Sequence, residues 1–575
     1  MKNKILSNIN FSLLQRREFK KRVGKIGLLL LSLGTFQAEA QETITLYDGV
    51  LFYGGYTPLF TAEQLYEPIP EDIIRHSNSK YAKKITDAQL DMIGNTLDID
   101  VVLEAACDNY DRLGHVFVAF VPKGSETYVQ NSVSRIEIAR FITPFMNKNN
   151  SPTSVSYHYT VDNVAEILTN TGLRAEYDFW LELDVFGTTG AGQTQVAGCS
   201  GKEDTFRATL SITTGDDSQF TYDDEMLLMP LQAKRNLNNY NNTDVPGETT
   251  RLINFTLDAE AEDLKLFLIT SNHGANENGE EYVRRRHFVY LNNNLIYQYI
   301  PGGKNCEPYR QFNTQGNGIY GQYEKPLRGW IYWNNWCPGD AIPLHEISLG
   351  TLPAGEYTLK IDVPDAVFNA GQGNIPLSAY LQNRNSGNVP TCMIPAEFTV
   401  QSISHNEIAA DWEEIGTADE WELLYGKIYN SSGQTTSAVL AEEDYHIVSG
   451  DSQTIIQENL DPETVYQIFV RSKCGDNNSM WSKALYLQTQ VLSLEENTVE
   501  PFVYYPNPVE NNLFLEAGSR EINEISLYDI QGRQVIQKMI SGTQGLLNME
   551  HLSSGVYFLK VNVSDTVQTY KIEKK

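Results

Sequence analysis

A chain of 575 residues, 41% hydrophobic and 11% aromatic, is globular and long enough for several domains. Its formal net charge of −29 excludes nucleic acid and anionic membranes as partners, because phosphate binding needs clustered Lys and Arg. Nine histidines without H-x-H or H-E-x-x-H spacing, and six cysteines without C-x-x-C, indicate no protein-bound metal.

In chain order, the basic "RREFKKRVGK" precedes the apolar "IGLLLLSLGTF" and the small-residue "AEAQ". This reads as a signal peptide over residues 1–40, with Ala40 the last residue removed. No later stretch is long and apolar enough for a transmembrane segment. An exported chain meets oxidising conditions, so Cys107, Cys199, Cys306, Cys337, Cys392 and Cys474 are candidates for disulfides whose connectivity their spacing leaves open. From residue 41 onward, short alternating runs such as "HVFVAFV", "IEIARFI", "FWLELDVF", "LKLFLIT" and "EYTLKIDV" lie between Gly/Asn-rich turns. This pattern predicts an all-β protein of sandwiches or barrels. Junctions are expected at 240–250, 383–392 and 491–501, giving domains over 41–245, 246–388, 391–490 and 500–575.

One stretch stands out. "ACDNYDRLGHVFVAF" sets Asp108, Asp111 and Arg112 at the mouth of an apolar strand. Two carboxylates and a guanidinium so placed suit general acid–base chemistry, with a carboxylate to take a proton and a donor for developing negative charge. Asp111 at the start of such a strand is placed to be partly buried, and Arg112 faces the other way by the strand period of two. Asp108 reads equally well as a turn cap.

Four ordered blocks resemble the peptide-N-glycosidase F family: "CDNYDR" (107–112), "EIARFITPF" (137–145), "EEYVRRRHFVYLNN" (280–293) and "NWCPGDAIP" (335–343). The resemblance implies two adjacent jelly-roll β-sandwiches with a site in the crevice between them. It further implies an amidase that cleaves the asparagine–N-acetylglucosamine bond of N-glycoproteins or N-glycopeptides, using neither metal nor cofactor. Carried over residue by residue, it makes Asp111 the group that activates or positions water. Glu281 becomes the second carboxylate, holding a sugar hydroxyl and orienting water, with the adjacent Glu280 as the alternative register. Arg112 is implied to hold carboxylates or the amide oxygen. Tyr110, Tyr282, Arg285 and Trp336 are implied to bind substrate, and Cys306 to pair with Cys337. In "LRAEYDFWLELDV", Asp178 falls where the family carries a third, catalytic glutamate, and Trp180 is set to stack on a sugar or to lie in the core. The cysteine that the family carries five residues before its first block is absent here, and the pair flanking the glutamate of the third block is replaced by Gly279 and Val283, so Cys107 pairs in another way, with Cys199 one option, or stays free.

Residues 391–490 resemble a fibronectin type III module, with "LDPETVYQIFVRSKCG" placing Tyr466 at the corner position and Cys392 and Cys474 near its ends. The tail blocks "YYPNPVENNLFLEA", "ISLYDIQGRQV" and "LSSGVYFLKV" resemble a type IX secretion sorting domain. That implies the type IX machinery as partner and a secreted or cell-surface protein. Three other readings compete with the amidase: a glycan-binding protein with an inactive site, a glycosidase using Asp111 and Glu281, and a copper monooxygenase. The last is disfavoured by the lack of H-x-H.

Overall fold

The computed structural model describes residues 41–217, 226–274, 279–331, 334–368, 373–384, 392–428, 445–475, 477–490, 502–563 and 566–575. The expected leader (1–40), most of the junction at 383–392 and all of that at 491–501 lie outside the described residues.

The chain is all-β. In the first sandwich, Leu113–Pro122 carries apolar residues on both faces and is central in a six-stranded sheet. Ser134–Ile142 and Tyr177–Val185 flank it, both antiparallel. The opposing four-stranded sheet runs Glu42–Tyr53, Asp204–Gly215, Thr96–Ala105, Ser154–Thr160. Its alternating pattern sends Ile99, Val101 and Leu103 inward while charged neighbours face out, and these residues close one large core with Val116, Val118 and Leu181.

The second sandwich packs the sheet Leu228–Leu237, Ile375–Asn383, Ala261–Thr270, His345–Leu352 against the sheet Thr250–Leu257, Gly355–Asp362, His287–Leu291, Asn294–Tyr299. Leu264, Leu266, Leu268, Val289, Leu359 and Ile361 fill the space between. Leu228–Leu237 lies upstream of the expected junction at 240–250, yet it pairs with Ile375–Asn383 from Leu228 opposite Gln382 to Leu237 opposite Ile375. The polar "NNYNN" run is thus a turn within the second sandwich's territory, and this strand belongs with residues that follow it.

The two sandwiches share strands and charges. Ala341–Ile342 of the second pairs with Phe141 and Arg140 at the edge of the first's six-stranded sheet. Arg140 is fully buried and donates twice to Glu137, at 2.7 and 2.8 Å, and through Nη1 to Ser271 Oγ and the Pro376 carbonyl. Glu137 also accepts from Ser378 of the second sandwich and from His115 Nδ1. Every charge here is paired, which is the condition for burying one.

Residues 392–490 form a smaller sandwich of a three-stranded and a larger sheet around Trp412, Trp421, Leu423 and Ile468. The Tyr466 hydroxyl accepts from the Asp461 backbone N–H at 2.9 Å, closing the corner its position predicted. Residues 502–575 form a last sandwich around Leu513, Ile525, Leu559 and Val561. Disulfides join Cys107 to Cys199, Cys306 to Cys337 and Cys392 to Cys474. The partner left open for Cys107 is Cys199.

Candidate active site

The stretch Asp108–Arg112 is a tight turn feeding the central strand of the first sandwich. Asp108 is its hub. Its buried carboxylate accepts from the backbone N–H groups of Tyr110 (3.0 Å) and Thr188 (2.7 Å) and from Arg112 Nε (2.8 Å). Thr143, from the second motif block, locks the same turn by donating to the Tyr110 carbonyl and accepting from the Arg112 N–H. The first two blocks are therefore one structural unit. Arg112, tethered by Asp108, lies over the Tyr110 ring at 5.3 Å. Asp111, between them, has no such tether: its Oδ2 is buried and without a hydrogen-bond partner. A buried, unpaired carboxylate oxygen is costly in a fold and common in sites that wait for a ligand.

The second sandwich supplies the opposite wall. Residues Glu280–Tyr282 form a single helical turn. Glu281 accepts from the Gly274 N–H at 3.2 Å and from the Tyr282 hydroxyl. The turn is held by Asn335, whose Nδ2 donates to the carbonyls of Glu280 (2.7 Å), Glu281 (2.8 Å) and Val283 (3.1 Å). Asn335 belongs to the fourth block, so the third and fourth blocks also form one unit.

The two units face each other. A cleft of about 520 Å³ lies between them. Tyr110, Phe145 and Gln195 of the first sandwich, Tyr282 of the second and the segment Gln315–Ile319 line it. Asp111 and Glu281 sit next in sequence to the facing tyrosines. Burial raises both carboxyl groups above the ordinary carboxylate range, and the Glu281 charge pushes Asp111 further up, while Arg112 opposes the rise in both. Such a pair retains a proton well above the pH at which free carboxyls ionise.

Other expected site residues lie elsewhere. Asp178 pairs with Val121 and Trp180 with Ala119, at the far end of the strand from Asp111. Eight residues separate Leu113 from Val121, roughly 26 Å at strand rise. Asp178 is a structural anion there: Lys84 (2.6 Å), Lys123 (3.1 Å) and the Gly124 N–H engage it, and they hold its carboxyl below the usual range against burial. Trp180 is packed on Tyr128, Ala82 and Ala119. Arg285 forms a two-pronged pair with buried Glu280 at 2.7 and 2.8 Å, so it braces the helical turn, and of the two adjacent glutamates it is the Glu281 charge that acts on Asp111. Trp336 is buried, donates to the Asn272 carbonyl at 2.9 Å and stacks on His273. It supports the wall rather than lining the cleft's surface. Sequence reasoning missed Asn335, Thr143, Gln195 and Gln315–Ile319. Asn335 and Thr143 lie inside the quoted blocks, but an amide or hydroxyl that acts through main chain leaves no chemical signature.

Fold and cleft together define a class: paired jelly-roll proteins with a carboxylate from each sandwich meeting across the crevice. Residues 57–197 match the family model Peptide-N-glycosidase F, N terminal, and residues 239–382 match Peptide-N-glycosidase F, C terminal. The chain carries both domains of the peptide-N-glycosidase F family, in that order, and ends in a secretion system C-terminal sorting domain over residues 503–575. That domain marks type IX secretion to the cell surface or beyond it. Among solved structures, PNGF-II matches at 17% identity and TM-score 0.44, covering 60% of this chain and 65% of that one. Recombinant N-glycanase F matches at 15% identity and TM-score 0.36, covering 60% of this chain and 96% of that one. The fn3 domain of human contactin 1 matches at 22% identity and TM-score 0.16, covering 19% of this chain and 87% of that one. This chain thus spans just under two thirds of the length of the PNGF-II chain. No curated protein matches it.

Proposed function

We propose that the protein is a secreted amidase that hydrolyses the asparagine–N-acetylglucosamine bond of N-linked glycoproteins or glycopeptides. The whole glycan leaves as a glycosylamine, and asparagine becomes aspartate. The observation that carries this reading is the Asp111–Glu281 pair: two buried carboxyls with raised affinity for protons, one from each sandwich, at a cleft of about 520 Å³. Burial and their mutual repulsion make such a pair hold a proton above the ordinary carboxylate range, so it can both release and accept one.

Amide hydrolysis uses both states. Asp111 takes a proton from the attacking water as the water oxygen bonds to the amide carbon. Arg112, fixed by Asp108 and not consumed by Asp111, is placed to stabilise the oxyanion. The C–N bond then breaks with the proton passed to the leaving nitrogen. Glu281 orients the water and holds a sugar hydroxyl. Tyr110, Arg112 and Tyr282 are the substrate-contacting groups of this account; Tyr110 and Tyr282 present aromatic surface from opposite walls, suited to apolar faces of pyranose rings.

The test is release of the intact glycan from a defined N-glycopeptide by the wild type and by Asp111→Asn. The variant is expected to lose turnover by about three orders of magnitude or more, as for loss of an essential proton-transfer group, while retaining a cooperative melt. A fully active Asp111→Asn variant ends the assignment. A protein that binds glycopeptide without turnover is instead a glycan-binding member with an inactive site.

A further inference from the structure

The segment bearing Glu281 is supported from an unexpected direction. Arg284, three residues on, is buried. Its Nε donates to the Pro301 carbonyl (3.0 Å) and its Nη1 to the Ile331 carbonyl (3.0 Å), both in the second sandwich. Nη1 also reaches the Ser482 carbonyl (3.2 Å) and Nη2 the Trp481 carbonyl (2.7 Å), both in the third. Among the described residues no carboxylate pairs with it; burial and the neighbouring Arg286 lower its proton affinity. The seat is shaped for this side chain. Gly303 sits at φ +72°, and a Cβ there would come within 2.4 Å of Arg284 Nη2. Around the seat, Ile331 of the second sandwich packs with Leu424, Phe469 and Trp481 of the third.

We infer that the third sandwich is an integral support of the Glu281 segment and that Arg284 is the positioning residue joining them. A tethered spacer keeps a solvated junction. Here, undocking would strip a desolvated guanidinium of its Trp481 and Ser482 acceptors and expose an apolar cluster. Asn335 holds the main chain of residues 280–283 from one side, and Arg284 anchors the next residue from the other. Docking of the third sandwich and placement of Glu281 opposite Asp111 are therefore one equilibrium. The catalytic part of this inference rests on the amidase reading; the mechanical part does not.

The test uses the full chain with Trp481→Ala, Arg284→Met and Arg284→Lys. Trp481 lies in the junction cluster rather than in the third sandwich's own core, so its truncation loosens docking without removing a core residue. Trp481→Ala and Arg284→Met are expected to lower kcat on an N-glycopeptide by about 100-fold, the scale of an ångström-sized misplacement. KM is expected to change little and the pH profile to shift, with Arg284→Lys recovering part of the loss. Hydrogen exchange at residues 279–287 is expected to quicken in Trp481→Ala. Wild-type exchange there, together with wild-type kcat and pH profile, would overturn the inference. If the wild type itself releases no glycan, the amidase reading fails, and the exchange comparison alone decides the coupling.

Discussion

Asp111 and Asp108 stand three positions apart and have opposite physics. Asp108 is satisfied by two backbone N–H groups and Arg112, whereas Asp111 keeps a buried oxygen unpaired beside the Glu281 charge. Because Asp111 binds its proton more tightly in the folded state, the folded chain holds more protons than the unfolded chain above the ordinary carboxylate value of 3.8. Stability therefore falls as pH rises through that window up to the raised value. Asp111→Asn is expected to melt higher than the wild type on the alkaline side of the window and to show no gain below it. Thermal melts of both proteins across pH read this directly; a variant less stable than wild type at alkaline pH contradicts it. Activity should follow a bell in which both limbs belong to the pair, the acid limb lying above the range of free carboxyls. Reading the pair from sequence was possible because each carboxylate stands in a dense block. Asp178 was placed by matching the family's glutamate, and a motif match says nothing about which end of its nine-residue strand reaches the cleft.

Two segments make the cleft walls. The helical turn Glu280–Tyr282 is too short to hold itself, and Asn335 supplies what its own hydrogen bonds do not. Asn335→Leu leaves three carbonyls without that donor and is expected to cost about 1–3 kcal/mol in a denaturant melt, with a loss of activity larger than the loss of stability accounts for. The segment Gln315–Ile319, which also lines the cleft, is clasped to the first sandwich by Gln315 N–H to the Phe145 carbonyl and by Asn147 to Gln315 Oε1, both at 2.9 Å. Within it, a Cβ on Gly316 or Gly318 would meet no protein atom within 4 Å, and neither glycine needs positive φ. Both glycines line the cleft, so a side chain there would project into open space. Gly316→Val is expected to melt as the wild type does, yet to raise KM for a peptide with a full N-glycan more than for one with a single sugar. Equal KM changes on the two substrates would remove this segment from the binding site. Neither wall was visible in periodicity, since both are irregular main chain whose role is set by partners more than fifty residues away in Asn335 and more than one hundred and sixty in Asn147.

At the scale of the whole molecule, the site exists only because two sandwiches are fixed against each other. The buried Glu137–Arg140 network does this, and its chemistry follows from the "EIARF" block, where the strand pattern puts two opposite charges on a strand buried throughout its core-facing length. Arg140→Met strands Glu137 without its main counter-charge and is expected to cost about 3–5 kcal/mol, measured as a lower melting temperature. The sandwich architecture was legible in alternation and turns. The transfer of Leu228–Leu237 to the second sandwich and the seating of the third on Arg284 were not, because strand exchange and domain docking depend on surfaces made by the fold. The proposed function places N-glycan release by amide hydrolysis in the cleft between the first two sandwiches. The most direct measurement is the mass spectrum of a defined N-glycopeptide after incubation with the full-length protein in 18O water. The expected product is a peptide stripped of its whole glycan, with asparagine replaced by aspartate carrying one 18O. A peptide that keeps one N-acetylglucosamine, or emerges unchanged, would contradict it.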